Sequence, residues 1–288
     1  MKVGFLGTGL MGEPMVERLL SAQIPVIAYN RTGAKLATLQ RSGVTIASSP
    51  EEAIAQSDCI ILMLSDAQAI AEVLLSKSAK SQLAGRTIIS MSTISPTQSR
   101  AIRDEVVAAS GEYIEAPVLG SIPEAKVGNL IVMVGANPTQ FQEWLPILKY
   151  FGPEPRLIGE VGTATATKLA LNQLISSLTA AFALSVGLVD RYGVDIETFM
   201  DILRSSALYA PTFDKKLSRM LERNYTNPNF PTKHLLKDTN LFLREAEQVG
   251  LNSPNLDGVK QILDVAMDMG LADADYSAIF EAIVPPQP

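Results

Sequence analysis

One uninterrupted stretch, residues 159–190 (GEVGTATATKLALNQLISSLTAAFALSVGLVD), restricts the fold more than any other part of the chain. Between Thr163 and Val189 it has no proline and one charged residue, Lys168. Small and apolar residues recur around every face, and a helix of that kind belongs in a core or a membrane. At 1.5 Å per residue it would reach roughly 40 Å, long enough for a bilayer. However, Asn172, Gln173, Ser176, Ser177, Thr179 and Ser185 scatter polar groups through it, which hydrocarbon accommodates poorly. The expectation is a buried helix between two domains, with no membrane partner. Lys168 and Asn172 lie four residues apart on one face near its start. A lysine there needs a reason, either catalysis or a stem that snorkels its ammonium to water.

Upstream of that helix, strands and helices alternate. Residues 2–7 (KVGFLG) read as a buried strand, and Met11, Met15, Val16, Leu19 and Leu20 follow at helical spacing. Between them Gly7-Thr8-Gly9-Leu10-Met11-Gly12 forms G-x-G-x-x-G, the dinucleotide fingerprint in its strand–turn–helix context. The first glycine permits the turn, the second lets backbone approach a pyrophosphate, and the third lets helix and strand pack closely. The helix N-terminus offers N–H donors to the anion. The second strand, residues 25–29, ends in Asn30-Arg31-Thr32, where an NAD site would usually place an acid on the ribose hydroxyls. Instead Arg31 can pair with a 2′-phosphate, and Asn30 and Thr32 can hydrogen-bond it. NADP(H) is therefore the expected cofactor, the alternative being a solvated loop arginine.

Further strands are expected at 44–46, 59–64, 87–91, 113–116 and 130–134, with helices between them. This alternation predicts an α/β domain with a doubly wound, Rossmann-type parallel sheet. Ligands of such sheets bind beyond the strand C-termini. Leu64-Ser65-Asp66, Ser92-Thr93 and residues 117–121 should then rim one crevice. After the long helix only helical periodicity recurs, over 195–205, 211–221, 232–248, 253–269 and 275–283. The expected domains are 1–162, binding NADP, and 163–288, all-α and opening with the interdomain helix 163–190. Pro285-Pro286-Gln287-Pro288 reads as a frayed tail.

Composition closes off other classes. Apolar residues make up 47% and charged residues 19% of 288, as in globular proteins. A net charge of −6 without a basic block gives nucleic acid no electrostatic footprint. The lone Cys59, inside the apolar run CIILML, cannot form an internal disulfide and suits a reducing compartment. With one cysteine and one histidine, no Cys/His metal site is available. The N-terminus is a poor secretion signal, so a cytoplasmic protein is expected. His234 stands four residues before Asp238, but no G-x-S-x-G elbow accompanies it, and it reads as a helix histidine beside a carboxylate. Asp273, Asp275 and Glu281 read as a solvated cap and helix face.

These motifs, in this order, resemble the β-hydroxyacid dehydrogenase family over essentially the whole chain. GFLGTGLMGEPM is similar to the family's cofactor motif, and MST, with Thr93, to the loop that touches the nicotinamide. EAPVLGS (115–121) resembles the substrate-binding segment D-A-P-V-S-G-G, and 159–173 the catalytic segment G-x-x-G-x-G-x-x-x-K-x-x-x-N. FPTKHLLKD (230–238) and LADADYSAIFEAI most resemble the glyoxylate/succinic semialdehyde reductase branch. The resemblance implies that Lys168 is the catalytic lysine and Asn172 its support. It also implies that Lys237 contacts the cofactor, and that Leu119, Gly120, Ser121, Phe230 and Asp238 lie at the substrate. Three departures stand out: Leu119 for a usual serine, Ala164 for a glycine and Gln173 for an asparagine.

The implied reaction is hydride transfer between NADPH and a small carboxylate-bearing aldehyde or hydroxy acid. Lys168 would stabilise the alkoxide-like oxygen and donate its proton, and a substrate carboxylate would meet the N–H groups around Gly120 and Ser121 and the Ser121 hydroxyl. 3-Hydroxyisobutyrate dehydrogenation and tartronate semialdehyde reduction remain alternatives, as do imine reduction and a non-catalytic cofactor-binding scaffold. A homodimer or homotetramer through the helical domain is implied by the resemblance alone.

Overall fold

Short apolar runs with β-branched residues build the first half because its central strands are covered on both faces. A computed structural model describes residues 1–286, with Lys35 described by its backbone alone; Gln287 and Pro288 of the expected tail lie outside. The strands are β1 (Val3–Leu6), β2 (Val26–Tyr29), β3 (Thr45–Ile46), β4 (Cys59–Leu62), β5 (Thr87–Ser90), β6 (Glu112–Glu115), β7 (Val118–Leu119), β8 (Ile131–Gly135) and β9 (Arg156–Gly159). Their order is β3-β2-β1-β4-β5-β6-β8-β7, with β9 also on β8. Val3, Phe5 and Ile61 enter one buried core, and Leu6, Ile60 and Leu62 enter another. That alternation within single strands is what a doubly wound sheet requires.

The sheet is mixed, which corrects the expectation of a parallel one beyond its sixth strand. Pairs from β3 to β6 are all parallel, whereas β8 runs antiparallel to β6 and β7. A parallel return needs a crossover of about a dozen residues or more, usually helical. The chain passes from β7 to β8 through the six-residue helix Ile122–Val127 and a short turn, and comes back antiparallel. The two-residue β7 and the strand β9 carried no periodic signal long enough to predict.

The chain divides into two compact units, Met1–Leu169 and Ala170–Pro288. The helix Thr163–Arg191 crosses that division, so Lys168 belongs to the first unit and Asn172, one turn on, to the second. The sequence reading puts the boundary before the helix, at 162/163, and the compact units divide seven residues further on. By length and composition it is the one helix among the described residues that could cross a membrane. Ala180, Phe182, Ala183 and Val186 enter the cores of the second unit, while Leu174, Leu184 and Leu188 are exposed. Its apolar surround is thus only partly core.

The second unit continues with helices Ile196–Arg204, Pro211–Leu221, Thr232–Gln248 and Pro254–Asp268, and ends in a 3-10 turn, Tyr276–Ala278, running into Ile279–Ile283. Two acids expected on a solvated face are not there. Asp275 is fully buried, its two carboxylate oxygens 2.8 and 2.9 Å from the Lys216 ammonium. Glu281 accepts from Tyr225 Oη at 2.7 Å and pairs with Arg223. Helical spacing cannot reveal partners 59 and 58 residues away. Asp273 alone matches the expectation, with an exposed carboxylate paired to Lys233.

Candidate active site

At the end of β1 the backbone has to reverse tightly, and Gly7 does so at φ +103°. A Cβ there would lie 2.3 Å from the Met63 carbonyl oxygen, and one on Gly12 would lie 2.0 Å from that of Gly7. Both positions exclude any side chain. Gly9 differs: a Cβ on it would meet nothing within 4 Å, so its bareness leaves open space beside the loop. Thr8 sends its N–H to Asn30 Oδ1 at 3.3 Å, while its buried hydroxyl has no partner. Helix Gly12–Ser21 begins after Met11 with no side-chain cap, and Leu10 is exposed beside it. An uncapped helix end leaves N–H donors for an anion.

The end of β2 differs in part from expectation. Asn30 is engaged at both ends, accepting from Thr8 and donating Nδ2–H to the Thr32 carbonyl at 3.0 Å. It braces the two loops against each other rather than presenting free donors. Arg31 is exposed, and its guanidinium lies 3.7 Å from Glu72. An acid is therefore near this arginine after all, supplied by helix Ala67–Leu74. An exposed pair of this kind contributes little, so Arg31 can exchange Glu72 for a more highly charged partner. Thr32 is exposed and makes no side-chain cap.

The other strand ends are ordered by hydrogen bonds. The Leu64 N–H donates to Ser92 Oγ at 2.8 Å, joining the ends of β4 and β5 beside the half-buried Thr93. Ser65 donates to Asp66, whose carboxylate caps the following helix through the Ala69 N–H at 2.8 Å. In the loop after β6, Leu119 sits in β7 opposite Ile131 and Gly120 turns at φ +129°. Ser121 donates both its N–H, at 2.8 Å, and its hydroxyl, at 3.0 Å, to the Glu124 carboxylate. That corrects the picture of Ser121 as an open carboxylate receptor: its donors already serve an acid of the adjoining helix.

Glu115, unassigned by the sequence, is the best-connected residue of this region. Its carboxylate is fully buried and accepts the N–H groups of Gly162, Ala164 and Thr165 at 2.8, 2.9 and 3.1 Å, with the Thr165 and Ser99 hydroxyls. The long helix is thus capped from β6, and Lys168 follows one turn later, buried to 8% exposure. Ala164 replaces a glycine of the family pattern but works here through its N–H, which a methyl does not disturb.

In the second unit Asn172 donates Nδ2–H to Asp238 Oδ2 at 2.6 Å, and its own Oδ1 is buried without a hydrogen bond. The Lys237 ammonium lies 2.9 Å from Asp238 Oδ1. Phe230 stacks on His234 at 6.4 Å between ring centres. Burial pushes the His234 imidazole below its ordinary range, and Lys237 and Lys233 add to that. It is a neutral ring on an aromatic, with no relay attached. Among the described residues no metal cluster occurs.

Residues 2–162 match the NAD binding domain of 6-phosphogluconate dehydrogenase, and residues 162–283 the NAD-binding domain of NADP-dependent 3-hydroxyisobutyrate dehydrogenase. The chain belongs to the β-hydroxyacid dehydrogenase family. It is 33% identical to glyoxylate/succinic semialdehyde reductase 1 of Arabidopsis thaliana over 98% of both chains. It is 31% identical to 2-hydroxy-3-oxopropionate reductase of Escherichia coli K12, over 98% of this chain and 97% of that one. The 3-hydroxyisobutyrate dehydrogenase of Mycobacterium tuberculosis shares the fold, with a TM-score of 0.89 at 22% identity over 98% of each chain.

As a β-hydroxyacid dehydrogenase the chain is an NAD(P)-dependent oxidoreductase, and its first loop fits that cofactor. The cradle at Gly9, the unpartnered Thr8 hydroxyl and the uncapped helix end together offer space and donors to a pyrophosphate. Sequence reasoning missed Glu115, Glu124 and Glu72 in this dehydrogenase. Only Glu124 carried a local signal, as the acid three residues after Ser121 in a capping box.

Proposed function

We propose that this enzyme is an NADPH-dependent reductase of a small carboxylate-bearing aldehyde, or the dehydrogenase of the corresponding hydroxy acid. The observation that carries the reading is the buried Lys168 one helical turn before Asn172, whose amide is fixed by Asp238. Gly7, Thr8, Gly9 and the helix start after Met11 hold the pyrophosphate, Leu64, Ser65 and Thr93 flank the nicotinamide side, and Lys237 adds a cation. Arg31 meets the 2′-phosphate and selects NADP over NAD, with Thr32 beside it. Bound nicotinamide supplies the hydride.

Lys168 does the rest of the chemistry. As ammonium it stabilises the negative charge that develops on the carbonyl oxygen, then gives that oxygen its proton. Asn172 and Phe230 orient the substrate. At the loop after β6 Leu119 has no donor and Ser121 is engaged by Glu124, so small acids bind weakly there. Glyoxylate and succinic semialdehyde, the substrates in the relatives' names, are then turned over with high KM.

The test is NADPH oxidation with glyoxylate, succinic semialdehyde, tartronate semialdehyde and methylmalonate semialdehyde, for the parent and for Lys168→Ala. The variant should bind NADPH as the parent does and lose about 10²–10⁴ in rate. Retained turnover in Lys168→Ala shows a structural lysine and removes the mechanism. Absence of turnover by the parent on every carbonyl favours a cofactor-binding scaffold.

A further inference from the structure

We infer that Glu115 is a positioning residue for Lys168, its buried carboxylate fixing the first turn of the catalytic helix to the strand end that carries the substrate loop. The inference rests on the reading of Lys168 as proton donor. Glu115 is the last residue of β6, and the chain goes on through Ala116 and Pro117 into Leu119, Gly120 and Ser121. From that end its side chain reaches backbone 47 to 50 residues further on. A helix N-terminus leaves four N–H groups without internal partners. The cap usually comes from the residue just before the helix, yet here one distant carboxylate accepts the N–H groups of Gly162, Ala164 and Thr165.

The arrangement is specific in three respects. Both carboxylate oxygens are used, Oε1 by the three N–H groups and Oε2 by the hydroxyls of Thr165 and Ser99. Ser99 in turn sits 3.0 Å from the Tyr113 hydroxyl, so a second residue of β6 braces the same acid. A negative charge at the positive end of a helix is also favourable, and every donor named is neutral.

Space for the acid is provided across the sheet. Glu115 pairs with Gly135 of β8, where a Cβ would lie 2.5 Å from Oε1 and 2.6 Å from Cγ. Any larger residue at 135 would displace the carboxylate. Three anchored N–H groups fix both the height and the rotation of the first turn. Lys168 stands three residues past Thr165, about 4.5 Å along the axis, so a small rotation of that turn swings its ammonium away from the reacting oxygen. Misplacement by about 1 Å can cost roughly a hundredfold in rate.

The experiment is a double-mutant cycle read in kcat, KM and NADPH affinity. Glu115→Gln removes the charge and turns one acceptor into a donor facing N–H groups. In the Lys168 enzyme it should lower kcat by roughly 10–100-fold and leave NADPH affinity unchanged. In the Lys168→Ala background the same change should cost nothing further, because residues that act through one another are not additive. Gly135→Ala, which crowds the carboxylate without removing it, provides a second route and should give the same pattern with a smaller loss. An equal fold-loss in both backgrounds overturns the inference, as does a fall in melting temperature with kcat intact. If Glu115→Gln does not fold, the Gly135→Ala cycle decides alone by the same criteria. Should Lys168→Ala itself keep its turnover, the proton-donor reading fails first, an outcome separate from the behaviour of Glu115.

Discussion

Each unit buries a carboxylate, and the two solve the problem by different means. Glu115 in the first unit is satisfied by backbone N–H groups and hydroxyls. Asp275 in the second is satisfied by the Lys216 ammonium and by the N–H and hydroxyl of Ser277 at 3.1 and 2.8 Å. Burial pushes the Lys216 ammonium down from its ordinary range while Asp275 pulls it back, and the ring of Tyr276 lies 4.1 Å below it. Neutral donors let the first unit hold a charge at the first turn of the long helix without an ion pair there. The ion pair of the second unit closes a corner between helix Pro211–Leu221 and the final turn. A buried ion pair is costly to break and of small net value when whole. The difference is therefore one of vulnerability more than of strength.

The largest expected effect tests that vulnerability. Lys216→Ala strands the Asp275 charge and should destabilise the protein by about 3–5 kcal/mol. Replacing both residues with apolar ones of similar volume should restore most of the loss. Chemical denaturation of both variants measures this, and a double variant no better than the single would show that the pair itself provides stability.

A smaller effect is expected at the surface pair Arg31–Glu72, which extends the comparison to a third setting. Water screens this pair, so losing Glu72 is cheap, whereas Arg31→Ala would remove the charge-assisted contact proposed for the 2′-phosphate. One such hydrogen bond is worth roughly 1.5–3 kcal/mol, so NADPH should bind at least about tenfold more weakly, with NADH affinity unchanged. Equal affinity of the parent for NADPH and NADH would refute the selectivity.

The smallest effect concerns the loop where Glu124 occupies Ser121. Leu119→Ser restores one donor for a substrate carboxylate, at about 1 kcal/mol for an ordinary net hydrogen bond. KM for glyoxylate or succinic semialdehyde should fall about fivefold at saturating NADPH. A parent KM already in the micromolar range, with no gain from serine, would make Leu119 a neutral replacement.

Much of this protein was legible before its structure. The glycine loop was readable because its function needs glycine at fixed spacing between a strand and a helix, and spacing is a property of sequence. That Lys168 and Asn172 share a helical face was readable because four residues make about one turn; the roles proposed for them rest on the family resemblance. The helices 211–221 and 232–248 fall where periodicity and proline put them. The two family matches meet at residue 162, where the sequence reading puts the boundary, whereas the compact units divide after Leu169, inside a helix that carries straight through.

The sequence by itself determined the local pieces: which segments are strands or helices, where the backbone turns, and which side chains share a helical face. These follow from interactions within a few residues. Only the tertiary structure decided how polar groups far apart in the chain are satisfied. It brought Glu115 to Thr165, Glu72 to Arg31, and Lys216 to Asp275. The reversal of β8 belongs with these. The physical reason is common to all of them. A buried acid or an orphan N–H must find a partner, but any of several residues of the right type would serve. Packing alone fixes which one arrives within hydrogen-bonding distance.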